Sequence, residues 1–107
     1  MAWSVTLKES VIDDLRWFGR KDGRLLLKAA NQQLSVDPTA ETRNLKTRRP
    51  NPIAQRELRL YGNYRVLFNV DPGAEAVTIV LVGEKRGQAL LVQGEEFTEH
   101  HESGPPE

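Results

Sequence analysis

Apolar and polar residues alternate at the start of the chain in the pattern of a β-strand. Within residues 3–8 the apolar side chains occupy every second position, namely Trp3, Val5 and Leu7. A period of two places them on one face of an extended segment. We therefore predict a first strand that directs these three side chains towards the core.

The spacing of apolar residues then changes to that of a helix. Ser10 followed three residues later by Asp13 resembles a capping box with Asp in place of Glu. The predicted helix covers residues 10–19, and its inward positions, at helical spacing, are Ile12, Leu15 and Phe18.

A second helix is predicted after a break at residues 19–23. It is expected to end near Val36, because Asp37 precedes Pro38 and a residue before proline is disfavoured in the helical region. The apolar positions of this helix are Leu26, Leu27, Ala29, Ala30 and Leu34. Neither helix buries its apolar face alone, so both are expected to pack on one side of a sheet.

The second half of the chain has the composition of antiparallel strands. Two β-rich runs, 56–60 and 64–70, flank Tyr61-Gly62-Asn63, where Gly62 and Asn63 tolerate the positive φ of a tight hairpin. This hairpin is expected to bring Arg56, Arg59 and Arg65 to one small patch of sheet. On its second strand Tyr64, Val66, Phe68 and Val70 share one face, and Arg65, Leu67 and Asn69 share the other.

Further strands follow the hairpin. After a turn at residues 71–74, residues 76–82 are apolar on both faces, as in a central strand. That strand is expected to end at a glycine-rich turn at 83–87, and Leu90-Leu91-Val92 is expected at the sheet edge. The predicted fold class is α+β, a two-helix hairpin on a small, mainly antiparallel twisted sheet of four to five strands in the order β-α-α-β-β-β.

Positive charge is concentrated around the hairpin. Residues 39–54 show no periodicity and are predicted to form a long basic loop, a kind of segment that is usually functional or mobile. Within residues 43–65 only Glu57 is acidic, which is the electrostatic footprint of a polyanion-binding surface. The cations there are Arg43, Lys46, Arg48, Arg49, Arg56, Arg59 and Arg65.

Composition narrows the kinds of site and reaction that are expected of this chain. The formal charge is zero, but residues 1–94 carry +5 and the acidic segment from Glu95 onward carries −5. Cysteine is absent, which excludes disulfides, thiolate catalysis and Cys-ligated zinc. The histidines are His100 and His101, too few for a His-rich metal site, so neither metal nor cofactor is expected. No apolar run is long enough for a bilayer, and Met1-Ala2-Trp3-Ser4 lacks the features of a signal peptide, so a cytoplasmic protein is expected.

The order and spacing of several short motifs resemble the RelE/ParE superfamily of toxins from type II toxin–antitoxin systems, from Trp3 to about Phe97. We accordingly expect one domain over residues 1–97 and an acidic, disordered tail over 98–107. The motifs are Asp37-Pro38, Thr42-Arg43-Asn44-Leu45-Lys46, Glu57-Leu58-Arg59, Tyr64-Arg65-Val66-Leu67-Phe68 and Val82-Gly83-Glu84-Lys85-Arg86.

The resemblance implies a toxin that is held inactive by a cognate antitoxin. RelE-like members cut mRNA on the ribosome without a metal, whereas ParE-like members inhibit DNA gyrase and are not nucleases. A third alternative is a homologue that has lost its toxicity and keeps antitoxin-binding or autoregulatory functions. We expect an mRNA endoribonuclease, because the cation cluster occurs together with the family pattern.

The resemblance also implies roles for individual residues. Arg65 matches the arginine on the scissile phosphate, and either Lys85 or Arg86 matches a second family arginine. Arg59 matches a further basic position, for structure or phosphate contact. Gln55 and Glu57 stand where ribonuclease members carry two lysines, and Leu90-Leu91-Val92 stands where they carry a stacking tyrosine. The alternatives for the missing general base are Lys46, Arg48, Arg49 and Glu57, and Tyr61 is the candidate for base stacking.

Overall fold

The computed structural model describes residues 3–51 and 53–97 of the chain. Its helices are α1 (Glu9–Trp17) and α2 (Arg20–Leu34), and its strands are β1 (Ser4–Leu7), β2 (Leu45–Thr47), β3 (Arg56–Leu60), β4 (Tyr64–Asp71), β5 (Ala76–Arg86), β6 (Ala89–Val92) and β7 (Glu95–Phe97). The predicted tail, with His100 and His101, lies outside the described residues. Neither of the described helices has the length and apolar character needed to cross a membrane.

The strands form one sheet with the order β2-β3-β4-β5-β6-β7, and β1 lies beside β5 in parallel. Both helices lie on one face of the sheet, where Val11, Leu26 and Leu34 pack with Phe68 and other strand residues in the main core. A smaller apolar cluster around Leu67 and Leu81 covers part of the opposite face. The predicted α+β class is therefore confirmed.

Over the described residues the sheet has seven strands rather than four or five. The predicted basic loop contains β2, which pairs with β3, and Leu90-Leu91-Val92 is not an edge strand because β7 pairs beyond it. Both additional strands have only three residues, too few to show a period of two in the sequence.

The helices differ from the sequence expectation at their ends. The predicted Ser10–Asp13 capping box is wrong: α1 begins at Glu9, and its N-cap residue Lys8 makes no side-chain cap. Backbone hydrogen bonds hold the N-terminus of α1 instead. The Lys8 N–H donates to the Ile79 carbonyl, and the Val11 N–H donates to the Lys8 carbonyl. The buried positions of α1 are Val11 and Asp14, and Ile12, expected to face inward, is exposed.

Two residues, Phe18 and Gly19, separate the two helices. The predicted break at 19–23 is too long, since α2 begins at Arg20 and Gly23 lies in its first turns. A Cβ at Gly23 would lie 2.6 Å from the Leu15 carbonyl oxygen of α1. Gly23 is therefore a packing residue that lets the two helices approach closely, rather than a helix breaker.

The predicted hairpin is present, with β3 and β4 paired in antiparallel register from Leu60–Tyr64 to Arg56–Phe68. Its positive φ values belong to Tyr61 and Gly62, not to Gly62 and Asn63. The Asn63 carbonyl instead accepts the Lys85 N–H at 2.7 Å, which aligns this residue with the neighbouring strand.

Strand β5 contains a β-bulge that reverses the direction of its side chains. Leu67 pairs with Leu81 and Phe68 with Ile79, so Val80 is the extra residue. Before the bulge, Val77 and Ile79 face the helices; after it, Leu81 faces the opposite side with Leu67. The predicted turn at 83–87 is accordingly shorter, because β5 continues to Arg86.

The buried carboxylate of Asp14 holds α1 to a gap in the sheet. On the edge of β5 away from β4, β1 pairs with residues 76–79 and β6 pairs with residues 84–86. Between them the Val82 N–H donates to Asp14 Oδ2 at 3.0 Å, and Gln93 Nε2 donates to Asp14 Oδ1 at 2.8 Å. Asp14 therefore replaces a strand at this position and also fixes the β6–β7 turn.

Replacing Asp14 by Ala is expected to lower the free energy of unfolding by about 2–4 kcal/mol, since a buried N–H loses a charged acceptor. Urea denaturation measures this value. Asp13→Ala is the matched control, because Asp13 is exposed beside Arg16, and we expect it to change stability by less than about 0.5 kcal/mol. Equal effects of the two substitutions would contradict this role of Asp14.

Candidate functional site

The face of the sheet opposite the helices carries an open basin of about 840 Å³. The residues that line it, which we call the basic basin, are Lys46, Thr47, Arg48, Arg49, Pro50, Asn51, Glu57, Arg59, Arg65, Lys85, Gln88, Ala89, Leu90, Glu96 and Phe97. Six of these side chains are cationic and two are carboxylates, a net formal charge of +4. Such a concave surface favours an anionic ligand.

Strand register brings these cations to one face. Arg59 and Arg65 are cross-strand partners on β3 and β4, and Arg65 pairs in turn with Gly83 on β5. Because side chains alternate along a strand, Lys85 shares the face of Gly83 and Arg65. Without the bulge at Val80, the same alternation would have directed Lys85 towards the helices.

Glu57 lies at the centre of the cations. Its Oε2 lies 3.0 Å from Arg59 Nε and 3.6 Å from Arg65 Nε, and its Oε1 lies 3.8 Å from Arg48 Nε. The Glu57 side chain is 20% exposed and that of Arg65 is 12% exposed. One partly buried carboxylate thus holds three guanidinium groups close together.

Arg65 is held in place by the backbone as well as by Glu57. Its Nη1 donates to the Gly62 carbonyl at 2.8 Å and to the Tyr64 carbonyl at 3.1 Å. Burial lowers the pKa of Arg65, the Glu57 carboxylate opposes that change, and the neighbouring Arg59 adds to it. The guanidinium stays protonated at neutral pH, so it is a fixed positive charge with a defined direction.

The loop that follows β2 forms one rim of the basic basin. Asn51 organises it: its Oδ1 accepts the N–H groups of Ile53 and Ala54, and its Nδ2 donates to the carbonyls of Arg49 and Ala54. Within residues 39–51 and 53–54, the predicted basic loop is therefore tied by side-chain and backbone hydrogen bonds, and it holds Arg49 at the rim.

Arg56 lies on the other face, contrary to the predicted patch of three arginines. It is buried, and its Nη1 donates to Glu41 Oε2 and to Thr47 Oγ1, each at 2.9 Å, while Nη2 donates to the Ala40 carbonyl. The Thr47 hydroxyl and then Arg56 lower the pKa of Glu41. Arg56 alternates with Glu57 along β3, so the same periodicity that faces Glu57 to the basin turns Arg56 to the helices.

Of the predicted site residues, the structure places Lys46, Arg48, Arg49, Arg59, Arg65 and Lys85 in the basic basin. Arg86 does not line it: its side chain is 69% exposed and lies 3.6 Å from Glu84. Tyr61 is exposed in the hairpin loop and is likewise absent from the lining of the basin.

Two features of the site were missed from the sequence. Phe97, on β7, lines the basin beside Leu90 and supplies an aromatic side chain where Tyr61 was expected. Glu57 holds the guanidinium groups at the centre, where a lysine or a base was sought. The charge maximum in the sequence locates the region of the basic basin, whereas strand pairing decides where Glu57 and Phe97 lie within it.

No three His, Asp or Glu side chains within the described ranges are arranged to hold a metal ion.

Gly83 provides room beside Arg65. A Cβ at this position would lie 2.7 Å from the Leu91 carbonyl oxygen, 3.1 Å from Leu90 Cδ1 and 3.3 Å from Val92 Cγ2. Strand β6 therefore lies directly over Gly83, and this contact sets the position of the wall formed by Ala89 and Leu90.

Solved structures that match this fold include a toxin and two toxin–antitoxin complexes. A chain of the toxin–antitoxin complex RelBE2 from Mycobacterium tuberculosis matches with a TM-score of 0.68 and 22% identity over 79% of this chain and 93% of that one. The isolated E. coli RelE toxin matches with a TM-score of 0.61 and 21% identity over 81% and 89%. A chain of the archaeal RelE–RelB complex from Pyrococcus horikoshii matches with a TM-score of 0.63 and 21% identity over 83% and 100%.

No protein-family model and no curated protein matches the chain. The structural matches confirm the resemblance noted in the sequence at the level of the fold: the chain has the RelE fold. Because one fold hosts several activities, the function must be argued from the basic basin itself.

Replacing Gly83 by Ala is expected to lower the free energy of unfolding by about 1–3 kcal/mol, because the added methyl group meets a backbone oxygen that cannot move without disturbing β6. Thermal unfolding measures the loss. Gly73→Ala is the control, since its Cβ would meet only Asp71 Oδ1 at 3.6 Å. A Gly83 variant as stable as the Gly73 variant would show that β6 does not need this close contact.

Proposed function

We propose that this chain, which has the RelE fold, is the toxin of a type II toxin–antitoxin system and a metal-independent endoribonuclease that acts on translated mRNA. The observation that carries the proposal is that Arg65 and Lys85 share one concave surface with four further cations. A cluster of this kind suits the phosphates of a nucleic-acid backbone.

The two ends of the basic basin suit the two parts of a nucleotide. Arg59, Arg65 and Lys85 offer charged donors for phosphate oxygens. Phe97 and Leu90 offer an apolar surface on which an unpaired base can stack. The open shape of the basin admits a single strand that runs across the sheet, so RNA would bind with its phosphates at the β3–β5 side and a base against β7.

Cleavage in this site would follow the chemistry of RNA itself. The ribose 2′-oxygen forms a bond to the adjacent phosphorus while the bond from phosphorus to the 5′-oxygen breaks. One proton leaves the 2′-hydroxyl and one is delivered to the 5′-oxygen, which gives a 2′,3′-cyclic phosphate and a 5′-hydroxyl end. Arg65, fixed by the Gly62 and Tyr64 carbonyls, is placed to stabilise the charge that develops on the phosphate.

We assign the proton transfers to the two amines of the basin, Lys46 and Lys85. A guanidinium is a poor proton donor because it stays charged, whereas an amine exchanges its proton more readily. Glu57 is poorly placed to accept the substrate proton, since each of its oxygens already faces a guanidinium group. Lys46 lies directly across from Glu57 on β2, and Lys85, two residues from the Gly83 that pairs with Arg65, would lie beside a phosphate bound by Arg65.

We also propose a cognate antitoxin as partner, by analogy with the RelBE2 and RelE–RelB complexes that share the fold. A groove of about 450 Å³ runs along the helices, and its lining contains apolar side chains and three arginines. Its charge favours an acidic amphipathic segment. The side chains that line it include Leu7, Ile12, Leu15, Leu27, Arg16, Arg20 and Arg24.

Ile12→Asp is expected to weaken co-purification of this chain with the product of an adjacent small open reading frame by about tenfold or more, because it places a charge in the groove. Leu25→Asp is the control, since Leu25 is as exposed as Ile12 but does not line the groove. If Ile12→Asp binds as tightly as the control, the antitoxin docks elsewhere.

The activity is tested with the purified chain, freed of any antitoxin, on programmed ribosomes and on DNA gyrase in parallel. We expect cleavage of ribosome-bound mRNA to fragments with 2′,3′-cyclic phosphate ends. Inhibition of supercoiling without RNA cleavage would support the ParE-like alternative. Activity in neither assay would leave the non-toxic, antitoxin-binding homologue as the better description.

Neighbouring residues on β5 give a sharp test of the site. Lys85→Gln is expected to lower the cleavage rate by about a hundredfold or more, because it removes a preorganised charge from the basin. Arg86→Gln removes the same charge from a side chain that pairs with Glu84 outside it, and we expect less than about a threefold change. Single-turnover cleavage rates compare the two, and the opposite order would mean that Arg86 is the functional residue.

A further inference from the structure

We propose that Glu57 is an internal competitor for the ligand's phosphate: it occupies the guanidinium groups of the basic basin and so weakens binding to single or isolated phosphates. The inference rests on the proposed function, since it concerns how the basin selects a nucleic acid. It is distinct from a role in proton transfer, and the two roles give different results on substitution.

The geometry of Glu57 resembles that of a bound anion. Its two oxygens face the Nε atoms of three arginines, at 3.0 Å from Arg59, 3.6 Å from Arg65 and 3.8 Å from Arg48. Guanidinium groups make equivalent contacts to phosphate oxygens. A phosphate that approaches the Nε atom of Arg59 or Arg65 therefore meets a donor that already faces Glu57, and it also meets the negative charge of that carboxylate.

The remaining cations of the basin are differently placed. Within residues 3–51 and 53–97, Lys46, Arg49 and Lys85 make no ion pair with a carboxylate. They line the same basin as the three guanidinium groups. A strand with several consecutive phosphates can engage these three cations first and then compete with Glu57, whereas a single phosphate gains too few contacts to do so.

Glu57 thus gives the site two properties at once. It holds partly buried cations together in the absence of a ligand, because like charges so close would otherwise repel one another. It also raises the number of phosphates that a ligand needs in order to bind, since the ligand must replace the contacts between Glu57 and the arginines. Sites that discriminate against unwanted ligands commonly include such an unfavourable element.

The test measures binding without cleavage. The probe is a fluorescein-labelled, single-stranded 2′-deoxy oligonucleotide, which lacks the attacking hydroxyl, and fluorescence anisotropy gives its affinity for the full chain between about 50 and 200 mM salt. We expect Glu57→Gln to bind about tenfold more tightly than the wild type. The slope of log affinity against log salt should steepen by about 0.7, the value for one additional neutralised phosphate on a single strand.

Three further variants serve as controls. Glu75→Gln makes the same charge change in the β4–β5 turn, at the opposite end of β5 from Lys85, and is expected to bind within about twofold of the wild type. Glu57→Asp keeps the charge and should keep the low affinity. Glu57→Thr, a second neutral variant that suits a strand, carries the test if Glu57→Gln does not fold, as judged by circular dichroism.

The outcomes separate this inference from the proposed function. If the wild type binds the oligonucleotide, Arg65→Gln weakens binding and neither neutral Glu57 variant tightens it, the competitor role is wrong and the basin is still the nucleic-acid site. An unchanged affinity together with lost RNA cleavage would assign Glu57 to proton transfer and would also overturn the competitor role. If neither the wild type nor any variant binds, the competitor role fails, and the proposed function is decided separately by the cleavage assay on programmed ribosomes.

Discussion

One additional residue in β5 determines which side chains meet on the functional face. The bulge at Val80 shifts the alternation of the strand, so that Leu81, Gly83 and Lys85 face away from the helices. The same shift keeps Val82 in the main core and directs its N–H to Asp14. Bulges commonly redirect side chains near functional sites. The core on one face and the basic basin on the other therefore depend on a single irregularity of pairing.

A second constraint is the cost of gathering positive charge on a sheet. Arg48, Arg59 and Arg65 are only partly exposed, and water cannot fully screen their repulsion there. Glu57 supplies the compensating charge from within the same strand as Arg59. Arg56, one residue away, is compensated separately by Glu41 on the helix side of the sheet. The arginines of β3 thus serve two faces, one structural and one available to a ligand.

Much of this organisation is visible in the sequence, and the remainder depends on long-range pairing. The hairpin, the faces of β4 and the position of the charge maximum follow from local periodicity and turn chemistry. Which of Lys85 and Arg86 faces the basic basin does not follow from local periodicity. A β-bulge decides it, and no local signal in the sequence marks that bulge. The sequence predicts a break that extends to Gly23, because the close approach of α1 cannot be read from the neighbours of Gly23 in the chain. Strands as short as β2 and β7 exist through their partners rather than their own composition.

The attachment of the β6–β7 turn to α1 links opposite sides of the sheet. Gln93 bonds to Asp14, and the Trp17 ring lies against Gly94, where a Cβ would come within 2.7 Å of Trp17 Cζ2. Strands β6 and β7 in turn provide one wall of the basic basin, including Leu90 and Phe97. Fraying of the first helix would remove both contacts of this turn, so the position of that wall depends on the helix.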